Sequence, residues 1–170
     1  MHHMDQTDTS RHYVELIVMD VMKYVETMVV FSEIPDEITL AINISNCKYH
    51  CPGCHSPHLW QDIGTELTPE ELISLINRNS GISCVCFMGG EHVNDLARIV
   101  KKMGLKAAWY TGASVIPEDL SNLDYIKIGP YVEKFGPLTS PTTNQRLYKI
   151  GILNGGQYLI NITSKLWKNT

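Results

Sequence analysis

Two apolar, β-branched runs, 26–31 and 38–44, flank Ser32-Glu33-Ile34-Pro35-Asp36, the pattern of two strands joined by a turn or short loop. Thr68-Pro69-Glu70-Glu71 then announces a helix: Thr68 as N-cap, Pro69 in the first turn and Glu71 placed to complete a capping box. Leu72, Ile73, Leu75 and Ile76 give that helix one apolar stripe, ending near Asn79. A short apolar run, 82–88, has strand length and leads into Gly89-Gly90-Glu91. A second helix carries Leu96, Ile99, Val100 and Met103 on one face, with Gly104 as its stop. Strands are expected over 106–110 and 125–128, a short helix over 117–120, and a late hairpin turning at Asn154-Gly155-Gly156.

Strands alternating with helices imply a parallel sheet covered by helices. In such sheets the loops leaving the C-terminal strand ends gather along one edge, where ligands bind. The loops after Ile44, Met88, Tyr110 and Ile128 should therefore face one site. They bring three cysteines, Gly89-Gly90-Glu91, Thr111-Gly112 and Gly129-Pro130-Tyr131 respectively.

Composition narrows the class. The 170 residues are 44% apolar and 19% charged, enough to bury a core and too little charge for a disordered chain. No apolar run approaches the roughly 18 residues of a membrane-spanning helix, so a soluble protein without a membrane partner is expected. A net charge of -4 lacks the basic footprint of a nucleic-acid binder. Residues 1–21 read as a mobile N-terminal extension and 22–170 as a single domain. Glu15 and Asp20 interrupt the only stretch resembling a secretory signal, so the expected location is the cytoplasm. In that compartment closely spaced cysteines suggest metal or redox chemistry rather than structural disulfides.

Cys47, Cys51 and Cys54 form a Cys-x3-Cys-x2-Cys arrangement after a strand. Thiolates suit soft centres, and three of them could hold a [4Fe-4S] cluster with one iron left open. A structural zinc site completed by His50, His55 or His58 is a second reading, although only one ligand knuckle is evident. A dithiol centre at Cys51 and Cys54 is a third, and leaves Cys47 without a role. Cys84 and Cys86, spaced i, i+2 on a strand, read as core.

Several segments carry a family resemblance: Cys51-Pro52-Gly53-Cys54-His55-Ser56-Pro57, Met88-Gly89-Gly90-Glu91, Ile126-Lys127-Ile128-Gly129-Pro130-Tyr131 and Thr143-Asn144-Gln145-Arg146. Between about Lys23 and Lys149 the chain resembles the radical S-adenosylmethionine (SAM) superfamily, and within it the activating proteins of anaerobic ribonucleoside-triphosphate reductases. One departure is Gly53, where many members carry an aromatic residue before the last cysteine.

The resemblance implies an α/β fold, a short open (partial) β/α barrel. It implies a [4Fe-4S] cluster on Cys47, Cys51 and Cys54, and SAM as second cofactor. One electron, delivered by an electron donor, would cleave SAM to methionine and a 5'-deoxyadenosyl radical. That radical would remove hydrogen from a glycine of the partner reductase, with no catalytic side chain beyond the cluster and SAM. Gly89 and Gly90 would let backbone approach the ligand, and Glu91 would accept from the SAM ammonium. Thr111 could pass close to SAM or belong to a plain turn. Lys127 could meet a carboxylate or be an edge-strand lysine reaching solvent. Asn144, Gln145 and Arg146 match the pattern without an assigned role. The competing activities are activation of another glycyl-radical enzyme, radical chemistry on a small substrate, or a zinc or thiol-disulfide domain.

Overall fold

A computed structural model describes residues 21–167, so almost all of the expected N-terminal extension over 1–21 lies outside the described residues. Eight strands form one open sheet: β1 (Lys23–Val30), β2 (Thr39–Ile44), β3 (Thr65–Glu66), β4 (Cys84–Met88), β5 (Lys106–Tyr110), β6 (Tyr125–Ile128), β7 (Arg146–Leu153) and β8 (Gly156–Asn161). Their spatial order is β3-β1-β2-β4-β5-β6-β7-β8. Two helices join the central strands, α1 (Pro69–Arg78) between β3 and β4 and α2 (Asn94–Lys102) between β4 and β5. None of the described helices is long and apolar enough to cross a membrane.

The expected parallel sheet holds only for its centre. β2, β4, β5 and β6 pair in parallel, whereas β1 and β3 on one flank and β7 and β8 on the other run antiparallel. Connection length explains much of this, because a parallel return needs a crossover of a dozen or more residues. Asn154 (φ 51°) and Gly155 (φ 75°) supply the two left-handed residues of a tight hairpin, as their sequence suggests. After β6 the chain returns antiparallel into β7, so residues 129–145 stay at the edge where β6 ends.

α1 begins as its sequence predicts, with the Thr68 hydroxyl accepting from the Glu71 amide at 3.1 Å. The capping box is only half made. The Glu71 carboxylate accepts instead from the Tyr24 hydroxyl (2.6 Å) and the Arg78 guanidinium (3.2 Å), tying α1 to β1. α2 stops at Gly104 (φ 79°), which supplies the left-handed residue that ends it. No helix forms over 117–120. Asp119 there turns the chain by accepting from the Ser121 amide and hydroxyl, and Asn94 holds the Asp119 carbonyl at 2.8 Å.

Alternation along the strands divides the core in two. Leu40, Ile42, Val85, Phe87, Ala107 and Ile126 face α1 and α2, meeting Leu72, Leu75, Leu96 and Val100. The other face carries Cys84, Cys86, Ala108, Tyr110, Tyr125 and Leu147, covered by Ile34 from the β1–β2 connection and by Ile162. Cys84 and Cys86 are fully buried there, as expected of core residues.

At the N-terminal end of the parallel strands, Glu37 is a buried carboxylate with three partners. It accepts from the Ser83 hydroxyl (2.6 Å), the Tyr125 hydroxyl (2.8 Å) and the Lys106 ammonium. Burial works against its charge, but these donors hold its carboxyl below the usual carboxylate range.

Two measurements test this frame. Thr68→Ala should destabilise the protein by about 1 kcal/mol in urea unfolding, through loss of the α1 cap. The Glu37 contribution is fully present above its unfolded value of about 4.3 and is lost as pH falls through its depressed folded value. Unfolding midpoints measured downward from pH 6 should therefore fall more steeply in the wild type than in Glu37→Gln.

Candidate functional site

The cysteines sit on the connection that leaves β2, and this connection is closed upon itself. The Asn46 amide donates to the Gln61 carbonyl (3.0 Å) and the Cys47 amide to the Leu59 carbonyl (2.9 Å), pinning both ends of the loop. Inside it, His50 (φ 44°) and Gly53 (φ 77°) take left-handed conformations and the Cys54 amide donates back to the Cys51 carbonyl at 3.0 Å. A side chain at Gly53 would find room, its Cβ lying 3.5 Å from Glu133 and Tyr131. The backbone conformation, not crowding, therefore disfavours an aromatic residue at this position.

Cys47, Cys51 and Cys54 are free thiols, each half-buried. They line one cavity of ≈ 200 Å³ together with Gly89, Thr111, Gly112, Lys127, Gly129 and Gln145. All four strand-end loops meet there. The Cys54 sulfur accepts a backbone hydrogen bond from the Ser56 amide at 3.4 Å.

The predicted ligand-binding residues divide into two groups. Gly89, Thr111 and Lys127 share the cavity with the three cysteines. Gly90 and Glu91 line a small adjoining cleft that also touches Cys47 and Gly112. Glu91 is exposed and forms an ion pair with Lys48. The glycines have a packing reason of their own. A Cβ on Gly90 would lie 2.9 Å from the Met22 sulfur and 3.1 Å from the Ile44 side chain; one on Gly89 would lie 3.2 Å from the Ile44 carbonyl oxygen. Both also have positive φ, 99° at Gly89 and 75° at Gly90.

Lys127 is not an edge-strand lysine. β6 lies between β5 and β7, and the side chain is buried on the face away from the helices. Its ammonium donates to the Gly129 carbonyl (3.2 Å) and lies 5.6 Å from the centre of the Tyr110 ring. Burial pulls its pKa down to about 8, against the opposing influence of the Cys51, Cys86 and Cys47 sulfurs.

Two contributors, Tyr49 and Trp60, carried no signal in the sequence, and two more, Asn144 and Gln145, matched the family pattern without a role. Tyr49 packs its ring against Gly112, where a Cβ would come within 2.6 Å of the ring, and its hydroxyl lies 3.5 Å from the Thr111 hydroxyl. Trp60 stacks on His50 with ring centroids 4.9 Å apart and planes at 18°. Gln145 and Asn144 hold the turn after β6, donating to the carbonyls of Gly129 (3.4 Å) and Pro130 (2.9 Å). Only the glycine beside Thr111 hinted at a close approach.

Two of the three candidate histidines are engaged in aromatic contacts, and His58 is exposed. His50 lies on Trp60, and His55 meets Tyr131 edge-on at 5.5 Å. Among the described residues no three His, Cys, Asp or Glu side chains converge tightly enough to hold a single metal ion. Tetrahedral zinc requires such convergence, since its thiolate bonds are about 2.3 Å long. A cubane cluster spreads its ligands over separate irons and does not. Three soft thiols around one cavity also lined by Trp60, whose buried indole N–H has no acceptor among the described residues, fit a sulfur-rich cluster.

Comparison with known families agrees. Residues 38–115 match the family model described as a 4Fe-4S single cluster domain, and the matched segment contains all three loop cysteines. The match supports a [4Fe-4S] cluster as the group this part of the chain binds, and is compatible with an oxidoreductase. No curated protein matches the chain.

Replacing Cys47, Cys51 or Cys54 by Ala should each abolish the iron and acid-labile sulfide bound after anaerobic reconstitution. Cys84→Ala and Cys86→Ala should retain the wild-type content. Full iron in any one of the first three variants would remove that residue from the ligand set.

Proposed function

We propose that the protein is a radical SAM activase whose substrate is a glycine in anaerobic ribonucleoside-triphosphate reductase. The observation that carries the reading is three thiols on one closed loop, sharing a cavity with Gly89, Thr111 and Lys127. Three protein ligands for four irons leave one iron for an exogenous molecule. When bound, the cluster and SAM would supply one-electron reductive cleavage of the sulfonium and, through it, hydrogen-atom abstraction from the partner's glycine.

The chain's own residues then bind and orient. Cys47, Cys51 and Cys54 would hold the cluster as thiolates, giving up their thiol protons on binding it. Lys127, in its cationic form, offers the buried positive charge that would pair with the SAM carboxylate. Glu91 would exchange Lys48 for the SAM ammonium, a charge-assisted contact of the same kind. Thr111 and the loop after β6 bound the cavity where the nucleoside would lie.

The partner class follows from accessibility. β3 and β8 are the two ends of the strand order, and the sheet does not close on itself. We read this as a partial β/α barrel with a wide lateral mouth, suited to a glycine presented on a macromolecular loop. The proposed setting is the cytoplasm, where thiols stay reduced and an electron donor can reach the cluster.

Reconstituted protein given SAM and a one-electron reductant should form methionine and 5'-deoxyadenosine, and should raise a glycyl-radical resonance when the reductase is added. A cluster-loaded protein that leaves SAM intact would falsify the activase reading. Glu91→Ala should weaken SAM binding about tenfold or more, the loss of one charge-assisted hydrogen bond, with iron content unchanged. Equilibrium binding of SAM to the loaded variant measures it.

A further inference from the structure

We infer that Trp60 is a positioning residue of the metal centre, its indole N–H donating a hydrogen bond to a sulfur of the bound cluster and raising its reduction potential. The inference rests on the cluster reading and adds to it a residue that tunes the cluster without ligating it.

Trp60 lines the cavity that holds Cys47, Cys51 and Cys54. Its Nε1 is buried and finds no acceptor among the described residues. An indole nitrogen is a donor only, so no rearrangement of its own proton can satisfy it. A buried donor without a partner is unfavourable and uncommon in native proteins. Among the described residues the other unpartnered buried side-chain atoms are the Thr39 hydroxyl and the side-chain carbonyl oxygens of Asn94 and Asn144. None of these three lines the cysteine cavity.

The ring is also held in place. The residues on either side of it are pinned, Leu59 by the Cys47 amide at 2.9 Å and Gln61 by the Asn46 amide at 3.0 Å. His50 stacks on its face. Trp109 provides the contrast, since its indole N–H is satisfied by the Gly89 carbonyl at 3.0 Å. Sulfur already serves as an acceptor in this loop, where the Ser56 amide donates to Cys54 at 3.4 Å. Among the described residues the Cys47 and Cys51 sulfurs accept no such bond.

The direction of the effect follows from charge. Reduction adds an electron that the cluster shares with its sulfurs, so a donor aimed at sulfur stabilises the reduced state more than the oxidised one. Removing the donor should therefore make the cluster harder to reduce. Stacking on His50 and packing in the cavity wall should survive replacement by phenylalanine, which keeps a ring and deletes the N–H.

The test compares wild type with Trp60→Phe after anaerobic reconstitution, by iron and sulfide analysis and by a redox titration followed by electron paramagnetic resonance. The expected result is equal iron with a lower midpoint potential. At fixed potential the reduced-to-oxidised ratio should fall about tenfold, a shift of about 59 mV for a one-electron couple. Equal iron with an unchanged potential overturns the inference while leaving the cluster reading intact. Absence of a cluster from the wild type overturns both.

Should Trp60→Phe fail to take up iron, the wild type decides. With tryptophan labelled by 15N in the indole ring, the reduced cluster should show a 15N hyperfine coupling that persists in Trp109→Phe. Absence of that coupling overturns the proposal.

Discussion

Parallel pairing of β2, β4, β5 and β6 is the constraint from which the site follows. Parallel strands all end at the same edge, so each must discharge its connection there. Three of those connections contribute short glycine-bearing turns, and the fourth is the cysteine loop. None of them needs a long-range signal in the sequence to find the others. The Glu37 cluster works at the opposite edge, where it ties the β1–β2 connection to β5 and β6 through Lys106 and Tyr125. Chemistry and anchoring thus occupy opposite ends of the same strands.

The cysteine loop solves a different problem. A strand would send Cys54 to the face opposite Cys47 and Cys51, and a helix would stack all three along one face. Here a loop sets the three around one cavity instead. The loop does so by combining left-handed residues at Asn46, His50 and Gly53 with the pair of hydrogen bonds that closes it at 46–47 and 59–61. Gly53 therefore meets a backbone requirement of the turn. Two of the histidines that sequence alone offers as zinc ligands, His50 and His55, are drawn into aromatic contacts by Trp60 and Tyr131.

Local signals in the sequence carried much of this architecture. The Thr68 cap, the Gly104 stop, the Asn154-Gly155 turn and the apolar stripes of α1 and α2 each act over a few residues, and each is found where expected except that Ile73 of the α1 stripe is exposed. The hairpin pairing of β7 with β8 was legible in its turn, whereas the antiparallel return of β7 onto β6 was not, because residues 129–145 between them carry no short-turn signal. The helix expected over 117–120 gave way to side-chain hydrogen bonds from Asp119. At the site, the convergence of four loops was readable from topology. Tyr49 and Trp60 were not, since what matters about them is contact with Gly112 and His50, and Gln145 matched a pattern whose role shows only in its bond to the Gly129 carbonyl. Lys127 looked ambiguous until β7 was seen to cover what would have been its open edge.

The site is also where local physical rules are broken together. A lysine lies buried with one carbonyl and an aromatic ring for company, and burial depresses its pKa to about 8. Trp60 lines the same cavity, and its buried indole N–H has no acceptor among the described residues. Three thiols stand half-buried around it, unlike Cys84 and Cys86, which packing accounts for completely. A core optimised for stability alone would favour apolar residues at Lys127 and Trp60, which need no partner. Their unmet requirements are complementary to one kind of occupant: anionic, rich in sulfur acceptors and bound through thiolates. That complementarity links the buried cation, the orphaned donor and the cysteine loop in a single physical argument for an iron–sulfur centre.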